Sequence, residues 1–449
     1  MDIDYLLPTS WSDFDVKLQL LVAAELEESG YTTCILTPDE RTQKKVPEYV
    51  THSYNIETLA DNRLYSTETI KERFEIPSVR HLCQTELTYY DLEYEQVLKR
   101  AKKTAVAVDE LFNRHEFSYS FQHRGGELFR LLVHYKIRNR NGASVWNDFA
   151  PFENREAFSA ELCGPWTNYE TIPYDSIDEE DREATRSYIQ TFQEKKRFYS
   201  HDSSVDDSSP IQKAWQRIST MVSPNQPRDL KKRLKKIVSH KLSRQINKFL
   251  IPSLEYSKRI CNDRKYVYFP LQFPSESRLT IYSPEFYNQH WIIEYLSRVV
   301  PADVEVFVKQ HPNHPGQQSP QWIHSLTQKP NVTFLHPECS SHGIIEQSEA
   351  TIVTNNTVGF ETLFYDTPLV VLGNAFYMDT PSVLKVDALD QLDKVVAKAI
   401  DSSVSDEDRI ASIYSLKKAT YSVPADVADD DWSTKMAKGL IDFVNYNHI

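Results

Sequence analysis

Residues 351–373, TIVTNNTVGFETLFYDTPLVVLG, divide by residue type into four parts. The run 351–353 is short, β-branched and apolar between polar neighbours, which is the pattern of a buried strand. Asn355, Asn356 and Thr357 are cap-type residues, and 358–365 takes a helical pattern with Gly359 in its first turn. Asp366, Thr367 and Pro368 break that helix, and 369–372 is a second buried strand closed by Gly373. Strand, polar loop, helix and strand make the repeating unit of an open parallel sheet. In such sheets ligands sit beyond the carboxyl ends of the strands, where a helix N-terminus offers free N–H groups and partial positive charge to an anion. Residues 355–359 occupy that place, and Glu361, one turn inside, is set to reach a ribose or sugar hydroxyl. The plainer alternative is that Asn356 or Thr357 only caps the helix and Glu361 is a solvated first-turn acid.

Upstream, the same alternation recurs: strand 266–269, helix 285–299, strand 304–308, helix 318–328, strand 332–335 and a short helix 342–348. At the other end of the chain, an apolar run at 3–7, helical spacing over 14–29, a stop at Gly30 and a β-branched run at 32–36 form a βαβ opening. Charged helices follow over 87–112, then a strand at 117–121 and a helix over 127–135. The expected fold class is α/β: two Rossmann-like doubly wound domains facing across a cleft. The boundaries read as an N-terminal domain 1–199, a polar linker with a basic amphipathic helix 200–260, a C-terminal domain 261–425, and a final helix in 426–449 that crosses back onto the first domain.

A chain of 449 residues with 40% hydrophobic content has room for both cores. With 51 basic against 64 acidic residues the net charge is −13, so no nucleic acid is expected as a partner. No apolar run approaches the ~18 residues that span a bilayer, and the start, MDIDYLLPTSW, lacks the order of a signal peptide, so the expected location is the cytoplasm. Cys34, Cys83, Cys163, Cys261 and Cys339 are scattered and suggest neither disulfides nor a thiolate metal site. Only 10 glycines occur, with no GxGxxG or P-loop pattern, which argues against a dinucleotide oxidoreductase or a P-loop kinase. No DxD-like pattern suggests a metal, and no cofactor is expected. The stretch 228–248, from Arg228 to Lys248, interleaves lysines and arginines with Leu230, Leu234, Ile237, Leu242 and Ile246. It reads as a basic amphipathic helix that lies peripherally on the anionic inner face of a membrane, holds a polyanionic acceptor, or simply bridges the domains with a solvated basic face.

Three loops of the second domain end predicted strands on one edge, so Gln272, Glu276, Lys309, His311, Asn355, Asn356, Thr357 and Glu361 are expected to converge. Lys309 and His311 supply donors to phosphate oxygens and Glu361 accepts from a sugar hydroxyl, which is the chemistry of a nucleotide-sugar site. In the first domain Gly125 and Gly126 suit a close backbone approach or a plain turn, with His123 and Arg124 beside them to meet an acceptor. The segment 145–158, VWNDFAPFENREAF, mixes aromatics with Asp148, Glu153 and Arg155, either as a carbohydrate site or as a loop whose rings fill the core. Residues 175–210 turn polar and read as an exposed loop or linker. The chemistry that fits is metal-independent glycosyl transfer, with Asp148 or Glu153 as general base and domain closure excluding water.

The order PLQxPxES (270–277), VKxHPN (308–313), NVxxLxP (331–337), TNNTVGxE (354–361) and PLVVLGxAFY (368–377) resembles the capsule polysaccharide biosynthesis proteins, which include the Kdo transferases of capsule assembly. The resemblance implies a GT-B glycosyltransferase taking a nucleotide sugar and a polysaccharide or glycolipid acceptor, with Lys309, His311, Pro312, Asn356, Thr357 and Glu361 on the donor motifs. Asn356 departs from the family's more usual serine, which leaves the donor sugar open. Two alternatives stand beside this reading. A polyol-phosphate transferase of teichoic-acid type would use His123 as a second catalytic histidine, and a scaffold subunit of a glycan assembly complex would bind nucleotide without turnover.

Overall fold

The computed structural model describes residues 2–48, 50–90, 92–196, 238, 239, 242, 246, 264–311, 318–337, 339–424, 426–429 and 431–448. Most of the 200–260 linker and of the basic stretch 228–248, together with Pro312, lies outside the described residues.

Strands β1 (Asp2–Pro8), β2 (Thr33–Thr37), β3 (Ser53–Asn55), β4 (Glu116–His123), β5 (Ala143–Asp148) and β6 (Arg155–Ser159) form the first sheet, in the order β6-β5-β4-β1-β2-β3. Its members from β5 to β3 are parallel, and β6 runs antiparallel on β5. Both faces are covered, as a parallel sheet requires. On one face Phe121, Val145 and Phe158 pack with Leu18, Val22 and Leu26 of the Asp13–Glu28 helix and with Trp432, Met436, Leu440 and Phe443 of the Trp432–Asn447 helix. On the other lie the Tyr94–Arg114 and Leu128–Arg138 helices.

The second sheet holds β7 (Lys265–Pro270), β8 (Val304–Lys309), β9 (Val332–Leu335), β10 (Ala350–Val353), β11 (Leu369–Val371) and β12 (Val383–Lys385), ordered β12-β11-β10-β7-β8-β9 and parallel throughout. In each sheet the winding reverses beside the first strand. From β7 the chain steps outward through β8 and β9, then returns to lay β10 on the other flank. From β1 it steps through β2 and β3, then lays β4 on the other flank. Crevices therefore open outside the carboxyl ends of β1/β4 and of β7/β10. The two face each other, which is the two-domain α/β arrangement of GT-B type.

The chain departs from the sequence reading in three places. Segment 145–158 is no loop: it is the end of β5, a turn and β6, and Trp146, Phe152 and Phe158 are buried. Residues 179–195, read as exposed linker, form the Glu179–Lys195 helix, N-capped by Asp178 through its bond to the Asp181 N–H. Charge dominates its composition, but Thr185, Ile189 and Phe192 make one narrow buried stripe. Phe192 stacks on Phe364 with ring centroids 3.9 Å apart, and Gln193 donates to the Phe364 carbonyl at 2.6 Å, so this helix belongs to the second domain's core. The return to the first domain begins earlier than 426: β13 (Tyr421–Ser422) adds antiparallel to β6, and the Trp432–Asn447 helix then packs on the Asp13–Glu28 helix, where Ser433 donates to Glu25 at 2.8 Å.

Candidate functional site

A cavity of about 730 Å³ lies where the two carboxyl edges meet. The first domain contributes His123, Arg124 and Asp148 to its wall, the second Glu276, Ser277 and Arg278, and Phe14 stands 61% exposed at its side. The domains touch beneath it. A Cβ on Gly126 would lie 2.8 Å from Ile281 Cγ1 and 3.0 Å from the Ser277 Cβ, and Tyr282 donates its hydroxyl to the Gly125 carbonyl at 2.6 Å. The close approach expected of this glycine pair is thus to the second domain.

Asp148 ends β5 with its side chain only 2% exposed, and its oxygens are fully engaged. Oδ2 accepts from Arg124 Nη1 at 2.6 Å and from Trp166 Nε1 at 3.0 Å; Oδ1 accepts from the Phe149 N–H at 2.9 Å and lies 3.4 Å from Arg278 Nη2. A carboxylate shared between two guanidiniums and an indole has no lone pair left for a substrate proton. It ties β5 of the first domain to Arg278 of the second. Glu153, the other acid expected as a base, lies exposed on the β5–β6 turn and is not among the residues lining the cavity.

His123, at the end of β4, differs. Its Nδ1 is 2.7 Å from Asn147 Oδ1, and Asn147 Nδ2 in turn donates to Glu156 Oε2 at 2.9 Å. Its Nε2 is buried with no hydrogen-bond partner, 4.0 Å from Asp15 Oδ1. Asp15 is bound by Arg130 at 2.8 Å and by the Ser10 N–H. Burial opposes the Asp15 charge, but Arg130, His123 and Ser10 outweigh it and hold the carboxyl below its ordinary range.

The residues expected to hold a donor divide into two groups on the second sheet's edge. At the β7/β10 crevice, Asn355 is fully buried: Oδ1 accepts from Gln272 Nε2 at 2.8 Å, and Nδ2 donates to the Arg278 carbonyl at 2.7 Å and to Ser283 Oγ at 2.8 Å. Gln272 also donates to Glu276 at 3.3 Å, and its own Oε1 is buried without a partner. Asn355 and Gln272 are struts that hold the loop bearing Glu276 and Arg278. Asn356 precedes the Thr357–Thr362 helix, donates to the Pro270 carbonyl at 3.2 Å and leaves its Oδ1 buried and unpartnered, while Thr357 is exposed. Gly359 is required here, because a Cβ would collide with the Tyr377 hydroxyl that donates to the Asn356 carbonyl.

The second group sits beyond β8. Lys309 is buried and donates to Ser341 Oγ at 2.7 Å; burial lowers its pKa, with Glu361 acting against the shift. Burial pushes Glu361 up to about 7 and Lys309 counters it. His311 is exposed just past the strand. Lys309, His311 and Glu361 do not line the cavity; Lys309 and Glu361 interact electrostatically on the same sheet edge, and His311 follows just past β8. Arg278, Asp15, Asn147, Glu156 and Arg130 were missed by sequence reading. Asp15 alone had a local signal, an acid in a first turn three residues after Ser12. Among the described residues no three His, Cys, Asp or Glu side chains group to hold a metal ion, and no helix is long and apolar enough to cross a membrane.

Residues 216–383 match the family described as capsule polysaccharide biosynthesis protein. Protein FixF of Sinorhizobium fredii is 27% identical over 135 residues, 29% of this chain and 32% of that protein, so the likeness spans about a third of the relative. Among solved structures, the Thermosulfurimonas dismutans KpsC β-Kdo 2,7 transferase aligns over 80% of this chain and 95% of its own at 13% identity, with a TM-score of 0.36. Anabaena HepE in complex with UDP-glucose aligns over 99% of this chain and 97% of its own at 10% identity, with a TM-score of 0.29.

Proposed function

We propose that this chain is a glycosyltransferase of capsule-polysaccharide type. It would move a sugar from a nucleotide donor on the second domain to a surface polysaccharide or glycolipid acceptor on the first, with no metal, and with His123 as the general base. The observation that carries the reading is His123 on the wall of a cavity built from both switch points, with a buried Nε2 that has no hydrogen-bond partner. An acceptor hydroxyl in that cavity gives its proton to Nε2, its oxygen forms the bond to the anomeric carbon, and the bond from that carbon to the phosphate oxygen breaks with its electron pair leaving on the nucleotide. The departing charge is met by Arg278 on the cavity wall, with Lys309, His311 and the Asn356-led helix N-terminus supplying further positive charge along the same sheet edge. Glu276 and Glu361 are the acceptors for donor hydroxyls.

A scaffold subunit has no use for such a histidine, and a polyol-phosphate transferase would want His123 and His311 in one cavity, which His311 does not line. Peripheral membrane attachment through 228–248 rests on Val238, Leu242 and Ile246, which are helical, recur every fourth residue and are exposed. The test uses the purified full chain with CMP-, UDP-, GDP- and CDP-sugars, CMP-Kdo among them, and oligosaccharide acceptors, in Mg²⁺ or in EDTA. Nucleotide release that needs the acceptor, persists in EDTA and falls at least ~100-fold in His123→Asn at unchanged Tm is the expected result. Failure of every nucleotide to raise the Tm and of every sugar to be turned over overturns the assignment.

A further inference from the structure

A neutral imidazole serves as a base only through the nitrogen without the proton, so a histidine base needs something that decides which nitrogen that is. Across the ends of β4, β5 and β6 the decision is built into a chain of three side chains. A carboxylate accepts hydrogen bonds and donates none, so Glu156 Oε2 takes the NH₂ end of Asn147, at 2.9 Å. That turns the amide oxygen of Asn147 towards His123, and an amide oxygen also only accepts. At 2.7 Å from that oxygen, Nδ1 must carry the proton, which leaves Nε2 bare and buried beside Asp15 in a ring that lines the cavity. Both Asn147 and Glu156 are buried, 9% and 7% exposed, so water competes weakly for either bond. With Asn147 reversed, the other tautomer would satisfy its contact with His123, but its amide oxygen would face the Glu156 carboxylate, two acceptors together, and it is this contact that fixes the polarity.

We propose that Asn147 and Glu156 are positioning residues that lock His123 with its proton on Nδ1, so that Nε2 is the atom that takes the acceptor's proton. The role rests on the transferase reading, but the tautomer itself is a property of the resting protein. Asp15 completes the arrangement from the other side. Its Oδ1 lies 4.0 Å from Nε2, and its second oxygen is held by Arg130 at 2.8 Å. Once Nε2 has taken the proton, the imidazolium stands between Asn147 and a carboxylate that is fixed and charged, and it passes the proton on to water as product leaves. Arg130 also donates to the His123 carbonyl at 3.0 Å, so the same guanidinium places both partners.

The experiment uses the full-length chain labelled with ¹⁵N-histidine, the His123 signal being the one absent from His123→Asn. Wild type is expected to show Nε2 as the bare, pyridine-like nitrogen without any ligand. Glu156→Gln removes the polarity of the chain, so the Nε2 signal should move to a mixture of tautomers and kcat for nucleotide release should fall about 10- to 100-fold. The double variant Asn147→Asp with Glu156→Gln restores acceptor facing His123 and donor facing Asp, and should recover the wild-type nitrogen pattern and most of kcat; a loss through misfolding alone would not be rescued this way. Glu156→Gln with unchanged nitrogen signals and unchanged kcat overturns the proposal. A wild type that shows the predicted tautomer but transfers no sugar overturns the transferase reading instead and leaves the lock standing.

Discussion

Replacing Asp148 by Asn separates a clamp from a base. The substitution keeps the shape but removes the charge that Arg124, 8% exposed, and Arg278, 19% exposed, share. Of the four groups donating to Asp148, an amide keeps acceptors for those on one oxygen and turns its NH₂ against the rest. Breaking one partner of a buried pair costs about 3–5 kcal/mol, because the remaining guanidinium stays desolvated. For a cooperative unit of 150–250 residues each kcal/mol moves Tm by about 2–4 °C, so Asp148→Asn should melt roughly 6–20 °C lower. Differential scanning calorimetry reads this directly, and transfer assayed well below the lowered Tm should fall less than about 10-fold, since no proton passes through Asp148. A Tm equal to wild type with transfer abolished would refute the clamp and restore Asp148 as the reacting carboxylate.

Further outcomes follow from particular contacts. Gly126→Ala drives a methyl into Thr85, Ile281 and Ser277 at the seam between domains; it should cost about 1–3 kcal/mol by thermal melting and weaken transfer through misplacement of the second domain. Glu361 keeps its proton to about pH 7 when folded but loses it near 4.5 when unfolded. The unfolded state therefore binds fewer protons in that window, and stability should decline as pH rises from about 4.5 through 7. Glu361→Gln should flatten that part of the Tm–pH curve, and identical slopes in the two proteins would contradict the assignment. Phe14 lines the cavity and is 61% exposed, so Phe14→Ala should leave Tm nearly unchanged while raising the acceptor KM about 2- to 10-fold, the worth of one aromatic face.

Periodicity carried the architecture from β7 to β11, where each strand is legible within a few residues of its own sequence, whereas β12 and the Leu392–Ile400 and Asp406–Lys418 helices were not read. The stretch 350–371 folds as strand, loop, helix and strand, and the last helix crosses back as its position suggested. The site was legible only where function and local pattern coincide. Asn355 advertises a loop at a strand end, yet its partners, Gln272 and Ser283, lie 83 and 72 residues away and make it a strut. Asp15 and Arg130 are 115 residues apart, and Asp148 and Arg278 130 apart, so these pairs exist only once the sheets are ordered. The Glu179–Lys195 helix escaped notice for a different reason: three buried side chains suffice to dock it, too few to outweigh its charge in composition.

Two tasks are divided at the end of a single strand by alternation alone. In the parallel pairing of β4 with β5, His123 lies opposite Asn147, and in the antiparallel pairing of β5 with β6, Asn147 lies opposite Phe158 with Glu156 on the diagonal. These side chains share the face that deeper in the sheet holds Phe121, Val145 and Phe158. Asp148 follows Asn147 and so points to the opposite face, towards Trp166 and Arg278. The apolar residues of the strand therefore set the register on which both the histidine chain and the domain clamp depend. Slipping β5 by one residue would turn Asp148 towards His123, hand Asn147 to the two arginines, and swap Val145 and Trp146, both fully buried, between the two packed faces. The cost of misfitting both cores is what keeps the proton acceptor and the clamp on their separate faces.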